Sequence, residues 1–193
     1  MSDSSLQEKL SFGKMRKTLS RKFYFQNTPT VAKELLGCFL IREYRGKIWR
    51  GMITETEAYV GEKDLACHAS RGRTSRTEVM YGQPGHAYVY MIYGMYHCLN
   101  IVTEKKDFPA AVLVRAVRID GIEYKKTNGP GKLCKFLHID RKLNKWDLTE
   151  GKKLWLERPA KNTAKRNITA GRRIGIDYAQ HCREYLWRFS LKM

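Results

Sequence analysis

Two glutamates one residue apart, in Glu55-Thr56-Glu57-Ala58-Tyr59, stand at the end of a strand-like segment. On a strand such residues point to the same face. Carboxylates at a strand end beside a long loop can act as general bases. The spacing equally allows two exposed glutamates that pair with surface Arg or Lys. A second group is Ala87-Tyr88-Val89-Tyr90-Met91-Ile92-Tyr93-Gly94-Met95-Tyr96, with four tyrosines in nine residues. Tyr88 and Tyr90 share one strand face, and Tyr93 sits beside a turn. A stripe of this kind is often plain core, but in a basic chain aromatic rings also stack on bases or wedge between base pairs. A third group is Arg71-Gly72-Arg73-Thr74-Ser75-Arg76, together with Asn128-Gly129-Pro130-Gly131-Lys132. Amides at a helix N-terminus suit a phosphate, although Asn128 could simply cap its helix.

The charge points the same way. Lys and Arg number 37 against 19 Asp and Glu in 193 residues, a net charge of +18. Such an excess favours a polyanionic partner, nucleic acid or an anionic membrane surface, beyond what solubility asks for. No apolar run is long enough to span a bilayer, and the N-terminus lacks the apolar core of a signal peptide. A basic amphipathic helix within residues 5–22 would still allow weak membrane contact. The five cysteines, Cys38, Cys67, Cys98, Cys134 and Cys182, are scattered with no CxxC pair. They read as reduced thiols of an intracellular protein. Cys67-His68, His97-Cys98 and His181-Cys182 offer zinc's usual ligands, but at spacings of no common zinc site, so no metal is expected.

The elements that must position these groups fit one domain. Residues 1–22 read as a basic flexible arm able to track phosphates, or as a solvated tail. Thr28-Pro29-Thr30 opens a short helix, Val31 to Leu36, that Gly37 ends. Cys38 to Tyr44 and Ile48 to Tyr59 read as strands around a turn at Arg45-Gly46. Residues 60–86 read as a long loop, which in a compact domain is functional or disordered. Ala87 to Tyr93 and His97 to Thr103 form a hairpin with its tip at Gly94-Met95-Tyr96, and Ala110 to Arg118 is apolar enough for a central strand. A short helix begins at Asn128 to Gly131 and carries Leu133, Phe136 and Leu137. Lys153 to Glu157 and Arg173 to Ile176 read as late strands. The expected class is α+β: a curved, mainly antiparallel sheet with short surrounding helices and a protruding β-hairpin.

Taken together, the motifs resemble the alkyladenine DNA glycosylase family, the 3-methyladenine DNA glycosylases of mammalian type. The likeness runs through Thr30 to Gly37, Glu55 to Tyr59, Asp64 to Arg71, Tyr88 to Asn100, Leu113 to Val117, Asn128 to Leu133 and Trp155 to Glu157, within residues 23–190. The ETEAY and YVYMIYGMYHCLN segments are its most specific parts. The resemblance implies a monofunctional base-excision repair enzyme with no cofactor, no metal and no lyase chemistry. It would act as a monomer on double-stranded DNA carrying damaged purines, in the cytoplasm and nucleoid or in a nucleus. Its substrates would be alkylated or deaminated purines, released by hydrolysis of the N-glycosidic bond. Glu57 would activate the water, supported by Arg115. Tyr59, His68, Tyr90 and Asn100 would line the base pocket, with Ala58 among the substrate-binding residues. Asn100 would screen against normal guanine. Tyr93 would fill the vacated stack, with Met95 and Tyr96 in the minor groove. The chain departs from the family in three places. The stretch from Arg118 to Asn128 is short, so a helix is expected to be missing there. The loop after Arg71 diverges. The chain stops at Trp187 to Met193, short of the family's closing segment, which puts the last strand and its DNA contacts in doubt.

Three other readings compete. A zinc-dependent nucleobase deaminase needs H-x-E and P-C-x-x-C segments, and both are missing. A carbohydrate hydrolase using Glu55 and Glu57 has no need of the charge. A non-catalytic nucleic-acid-binding module fits the charge and tyrosines, but a carboxylate facing a polyanion is unfavourable unless it has a task.

Overall fold

The computed structural model describes residues 18–159 and 167–192. Of the basic arm, residues 1–17 lie outside the described residues. Thr18 to Lys22 lie against the body: Leu19 is buried, its amide donates to the Leu156 carbonyl, and Arg21 opens the one-turn helix α1, Arg21–Tyr24. Helix α2, Thr28–Leu35, places Pro29 in its first turn, where a missing N–H costs no bond. Its Val31, Ala32 and Leu35 face the sheet.

A curved antiparallel sheet runs in the order β3-β4-β5-β2-β1-β6, with β8 added to β2 and β7 to β8. The strands are β1 Phe39–Tyr44, β2 Lys47–Val60, β3 Ala87–Ile92, β4 Tyr96–Val102, β5 Ala110–Ile119, β6 Leu154–Glu157, β7 Ile168–Gly171 and β8 Arg188–Leu191. Arg45 and Gly46, at φ 50° and 74°, make the two-residue turn between β1 and β2. The long β2 is the axis of the molecule. Its first half pairs with β1, Glu55 to Glu57 pair with β8, and its other edge pairs with β5 from Gly51 to Val60. Register shifts between Ile53 and Thr56 break its regular pairing with β5 on both sides of Glu55, at the start of the Glu55–Tyr59 segment.

The main core lies between this sheet, α2 and helix α3, Pro130–Phe136, and includes Leu35, Leu40, Ile53, Leu99, Val112 and Leu133. Gly129 stands at the N-cap of α3; Asn128 instead accepts a bond from Lys132 Nζ at 3.1 Å. A smaller apolar cluster sits under the 61–86 segment. Two 3₁₀ turns, His68–Arg71 and Glu78–Tyr81, bury Ala69, Val79 and Met80 there. Single 3₁₀ turns leave no 3.6-residue periodicity, so this packing is invisible as a pattern. Between Arg118 and Asn128 only the turn Tyr124–Lys126 is helical.

The C-terminal part corrects the sequence reading. Arg173 to Ile176 is no strand: Arg173 is buried, and Gly175 takes φ 75°, which a strand does not accommodate. The late strands are β7 and β8 instead. The last of them forms from Arg188–Leu191 and pairs with Glu55 to Glu57.

The turn into β3 depends on Gly85. It adopts φ +86°, and a Cβ there would come 2.8 Å from the buried Tyr24 ring. Gly85→Ala should destabilise the protein by about 2–4 kcal/mol, combining a left-handed non-glycine residue with overpacking. At this chain length that lowers the Tm by roughly 5–15 °C. Gly121→Ala, at φ +73° with open space around it, should cost about 1 kcal/mol. Thermal unfolding of the two variants checks the contrast.

Candidate active site

The Glu55–Tyr59 end of β2 carries the site. Glu57 is fully buried, at 0 % exposure. Its Oε1 accepts the Ile174 amide at 2.8 Å; its Oε2 accepts the Tyr59 hydroxyl at 2.8 Å and lies 3.3 Å from Arg115 Nη1. An ionised carboxylate offers about four acceptor positions. Three donors leave one for a water. Burial pushes the Glu57 carboxyl above the usual carboxylate range, against the opposing pull of Arg115, the Ile174 amide and the Tyr59 hydroxyl. A carboxylate so shifted is a stronger base, and it is protonated more readily as pH falls.

Glu55 shares the Arg115 guanidinium, Nε to Oε1 at 3.2 Å, and also meets Arg188 of β8 at 3.1 Å. Glu55 is thus a half-buried carboxylate held by two arginines, whereas Glu57 is fully buried. Arg115 reaches both because β5 lies beside β2, with Leu113 opposite Glu57.

In front of these groups lies a cavity of about 220 Å³ whose lining includes Tyr59, His68, Tyr90, Tyr93, Asn100 and Arg115. Six of the sequence-predicted residues thus meet at one place, and Glu57 sits directly behind Tyr59, Arg115 and Ile174. The His68 and Tyr90 rings meet edge to face at 4.6 Å, and Tyr88 is 5.2 Å from Tyr90. His68 Nδ1 is 2.9 Å from the Tyr88 hydroxyl. Burial, together with the nearby Arg76 and Arg71, lowers His68 to about 4, so its imidazole is neutral at physiological pH. Burial also raises the Tyr59 and Tyr90 phenols, which stay protonated. Asn100, on β4 between Tyr88 and Leu113, donates Nδ2 to the Tyr88 carbonyl at 3.3 Å.

The β3–β4 hairpin projects from the cavity mouth. Its turn is Tyr93-Gly94-Met95, one residue earlier than the expected tip, because Ile92 pairs with Tyr96. Tyr93 adopts φ 51°, uncommon for a bulky residue, and is 85 % exposed. Met95 is exposed too, at 67 %. Both Met95 and Tyr96 lie outside this cavity, along a neighbouring groove with Tyr44 and His138. Ala58 is not at the cavity. It is buried in the core, its amide bonded to the Trp187 carbonyl and its carbonyl accepting from Arg173. Of the basic loop, Arg73 is bound by Glu78 and Asp107, whereas Arg76 lies over the Tyr90 ring at 5.0 Å.

Arg173, Ile174 and Tyr178 escape the sequence reading. Ile174 and Tyr178 line the cavity, and Ile174 supplies its amide to Glu57. Arg173 is buried in a two-bond pair with Asp64, at 2.5 and 2.8 Å. An amide donor leaves no side-chain signature, and an ion pair 109 residues apart leaves no local one. Among the described residues no three His, Cys, Asp or Glu side chains gather as metal ligands, and the five cysteines are free. No helix among them is long and apolar enough to cross a membrane.

Comparison with known proteins bears on this arrangement. Residues 22–193 match the family model of methylpurine-DNA glycosylase. A protein of Clostridium perfringens (strain 13 / Type A) is 44 % identical over 195 residues, covering 90 % of this chain and 95 % of its own length. One from Methanocella arvoryzae is 47 % identical over 184 residues (89 % and 90 %), and one from Rickettsia rickettsii (strain Sheila Smith) 48 % over 158 residues (79 % and 84 %). Each bears the name "Putative 3-methyladenine DNA glycosylase". With a match that spans the sheet, the buried glutamate and the hairpin alike, the chain belongs to the methylpurine-DNA glycosylase family.

Proposed function

We propose that this methylpurine-DNA glycosylase extrudes an alkylated or deaminated purine from duplex DNA and hydrolyses its N-glycosidic bond with a water activated by Glu57. The reading rests above all on one observation: a fully buried carboxylate with three donors and one acceptor position to spare, directly behind an aromatic cavity. A base inside a duplex is out of reach of that carboxylate, so the nucleotide must leave the stack, at a cost of roughly a few kcal/mol. Tyr93, exposed at the hairpin tip, takes the vacated space, with Met95 and Tyr96 beside it in the minor groove. The flipped base enters between Tyr59, His68 and Tyr90. Neutral His68 adds no charge against a cationic ring, and aromatic faces attract one by about 0.5–2 kcal/mol.

Water then adds to C1′ as the C1′–N9 bond breaks through an oxocarbenium-like sugar. Glu57 takes the water's proton, and its charge, shared with Arg115, faces the developing cation. The bonding pair leaves with the purine. A 3- or 7-methylated purine departs neutral and needs no acid; hypoxanthine or ethenoadenine must be protonated. The product is an abasic site, with no strand cleavage by the protein. Asn100 discriminates: one amide hydrogen is held by the Tyr88 carbonyl, and the other meets guanine's 2-amino group donor to donor, a penalty that 7-methylguanine shares but offsets because its cationic ring leaves without an acid.

Incubation of the protein with duplexes each carrying 7-methylguanine, hypoxanthine or ethenoadenine, followed by alkali, tests the reading. Alkali-dependent breaks at the lesion are expected, and none without alkali; no release from any lesion would refute it. Asn100→Ser removes an unpaired-donor penalty of about 1–3 kcal/mol. It should raise release of normal guanine about 10-fold and change hypoxanthine release less. A uniform loss on all substrates, with a lower Tm, would mean that Asn100 only holds the hairpin.

The neutral state of His68 is measurable. Its ring resonances should titrate near pH 4 rather than 6.5. Because its folded value lies below the unfolded one, its contribution to stability is complete above pH 6.5 and is lost as pH falls from there toward 4. His68→Gln should flatten the stability curve within that window.

A further inference from the structure

We propose that Arg173 and Asp64 are positioning residues for Glu57: their buried ion pair sets the Ile174 amide and the Tyr59 hydroxyl on the two carboxylate oxygens. The inference rests on the reading of Glu57 as the base. Neither Arg173 nor Asp64 lines the cavity, so neither would touch a substrate. Each nevertheless reaches the backbone beside a donor. Ile174, whose amide meets Glu57 Oε1, directly follows Arg173 in the chain. Arg173 Nη1 donates to the Ala58 carbonyl at 2.9 Å, fixing the peptide that leads into Tyr59, and its guanidinium lies 4.8 Å from the Tyr59 ring centre. Nη2 donates to the Cys182 carbonyl at 3.1 Å, closing the C-terminal segment over the site.

Asp64 completes the clamp from the pocket loop. Its carboxylate accepts the Val60 and Ala66 amides, both at 3.1 Å, while binding both guanidinium nitrogens. The Cys67 amide then bonds the Asp64 carbonyl at 2.8 Å, one residue before His68. One pair therefore ties together the end of β2, the loop that carries His68 and the segment that carries Ile174. A fork-to-fork pair fixes orientation as well as distance. A lysine keeps the charge without that geometry.

The consequence concerns protonation. Glu57 is faced by Tyr59 and Glu55 from its own strand, Arg115 from β5, Cys98 from β4, Arg173 from the C-terminal segment, and Arg188 from β8 through Glu55. The Ile174 and Tyr59 bonds both favour its charged form and oppose the burial that raises its pKa. If the clamp loosens, these donors slip, the pKa rises further, and a higher pH is needed to ionise the base.

The test is single-turnover release of 7-methylguanine, which leaves without an acid, from duplex DNA between pH 5 and 9. In Arg173→Lys the acidic limb should move up by at least half a unit, a rate about 3-fold lower on that flank. The rate should return to within about 2-fold of the parent on the alkaline plateau, with duplex affinity unchanged. The double variant Asp64→Asn/Arg173→Gln, which leaves no orphan charge, should shift the limb the same way. In the unaltered protein the Ile174 amide proton should titrate with the midpoint of the rate. A limb that stays in place while rates fall equally at every pH, or an Ile174 amide blind to that midpoint, would overturn the proposal and leave a purely structural ion pair. Glu57→Gln on the same duplex separates the two readings. If it is inactive while the limb of Arg173→Lys is unmoved, only the positioning role fails; if it is active, the base assignment fails first.

Discussion

A carboxylate cannot be taken out of water without partners, and the arrangement of this protein follows from supplying them to Glu57. Burying an unpaired ion costs several kcal/mol even after relaxation. The three donors that offset this come from three places: Arg115 from β5, Tyr59 from β2 itself, and the Ile174 amide from the far end of the chain. They converge only because β2 pairs with β5 along one edge and with β8 along the other. The register shifts between Ile53 and Thr56 sit where β2 passes from β1 to β8. The same desolvation that makes the carboxylate expensive makes it basic. Stability and chemistry are thus in tension at one residue, a common cost of a working site.

The surroundings divide by charge. Behind the cavity, acids and bases are paired: Glu55 with Arg115 and Arg188, Asp64 with Arg173. In front, the lining is aromatic and His68 is held neutral. Outside, Tyr93 and Met95 are exposed on a chain whose net charge is +18. A polyanion would meet long-range attraction first, then the hairpin, then an aromatic slot with Arg115 in its wall.

Much of this was legible in the sequence where the signal is local. The i, i+2 spacing put Glu55 and Glu57 on one face, and one Arg115 does bridge both. Tyr88 and Tyr90 share a face and pack together beside His68. Arg45-Gly46 specified its turn, and the Asn100 strand returns beside Tyr88. What failed was long-range or patternless. Arg173-Ile174-Gly175-Ile176 reads as a short strand, but its first residue is drawn inward by Asp64, and no strand pattern can announce a partner that distant in sequence. β8 was missed because it is only four residues long; it pairs with β7 and, at long range, with β2. The 61–86 segment read as loop because its packing is built from single turns. Ala58 took its place beside two site residues, yet in a strand its side chain points away from theirs, into the core.

The central claim is that Glu57, and not Glu55, makes the nucleophile. Single-turnover excision by Glu57→Gln and Glu55→Gln, beside binding of the same lesion duplex, tests it most directly. Glutamine keeps the shape and removes the basicity. The account predicts that Glu57→Gln binds the lesion nearly as the parent does but loses about 10²–10⁴-fold in rate, the range expected for a general base, while Glu55→Gln, which loses an ion pair with Arg115 and Arg188, loses far less. A Glu57→Gln protein that still excises, with Glu55→Gln inactive, would contradict it.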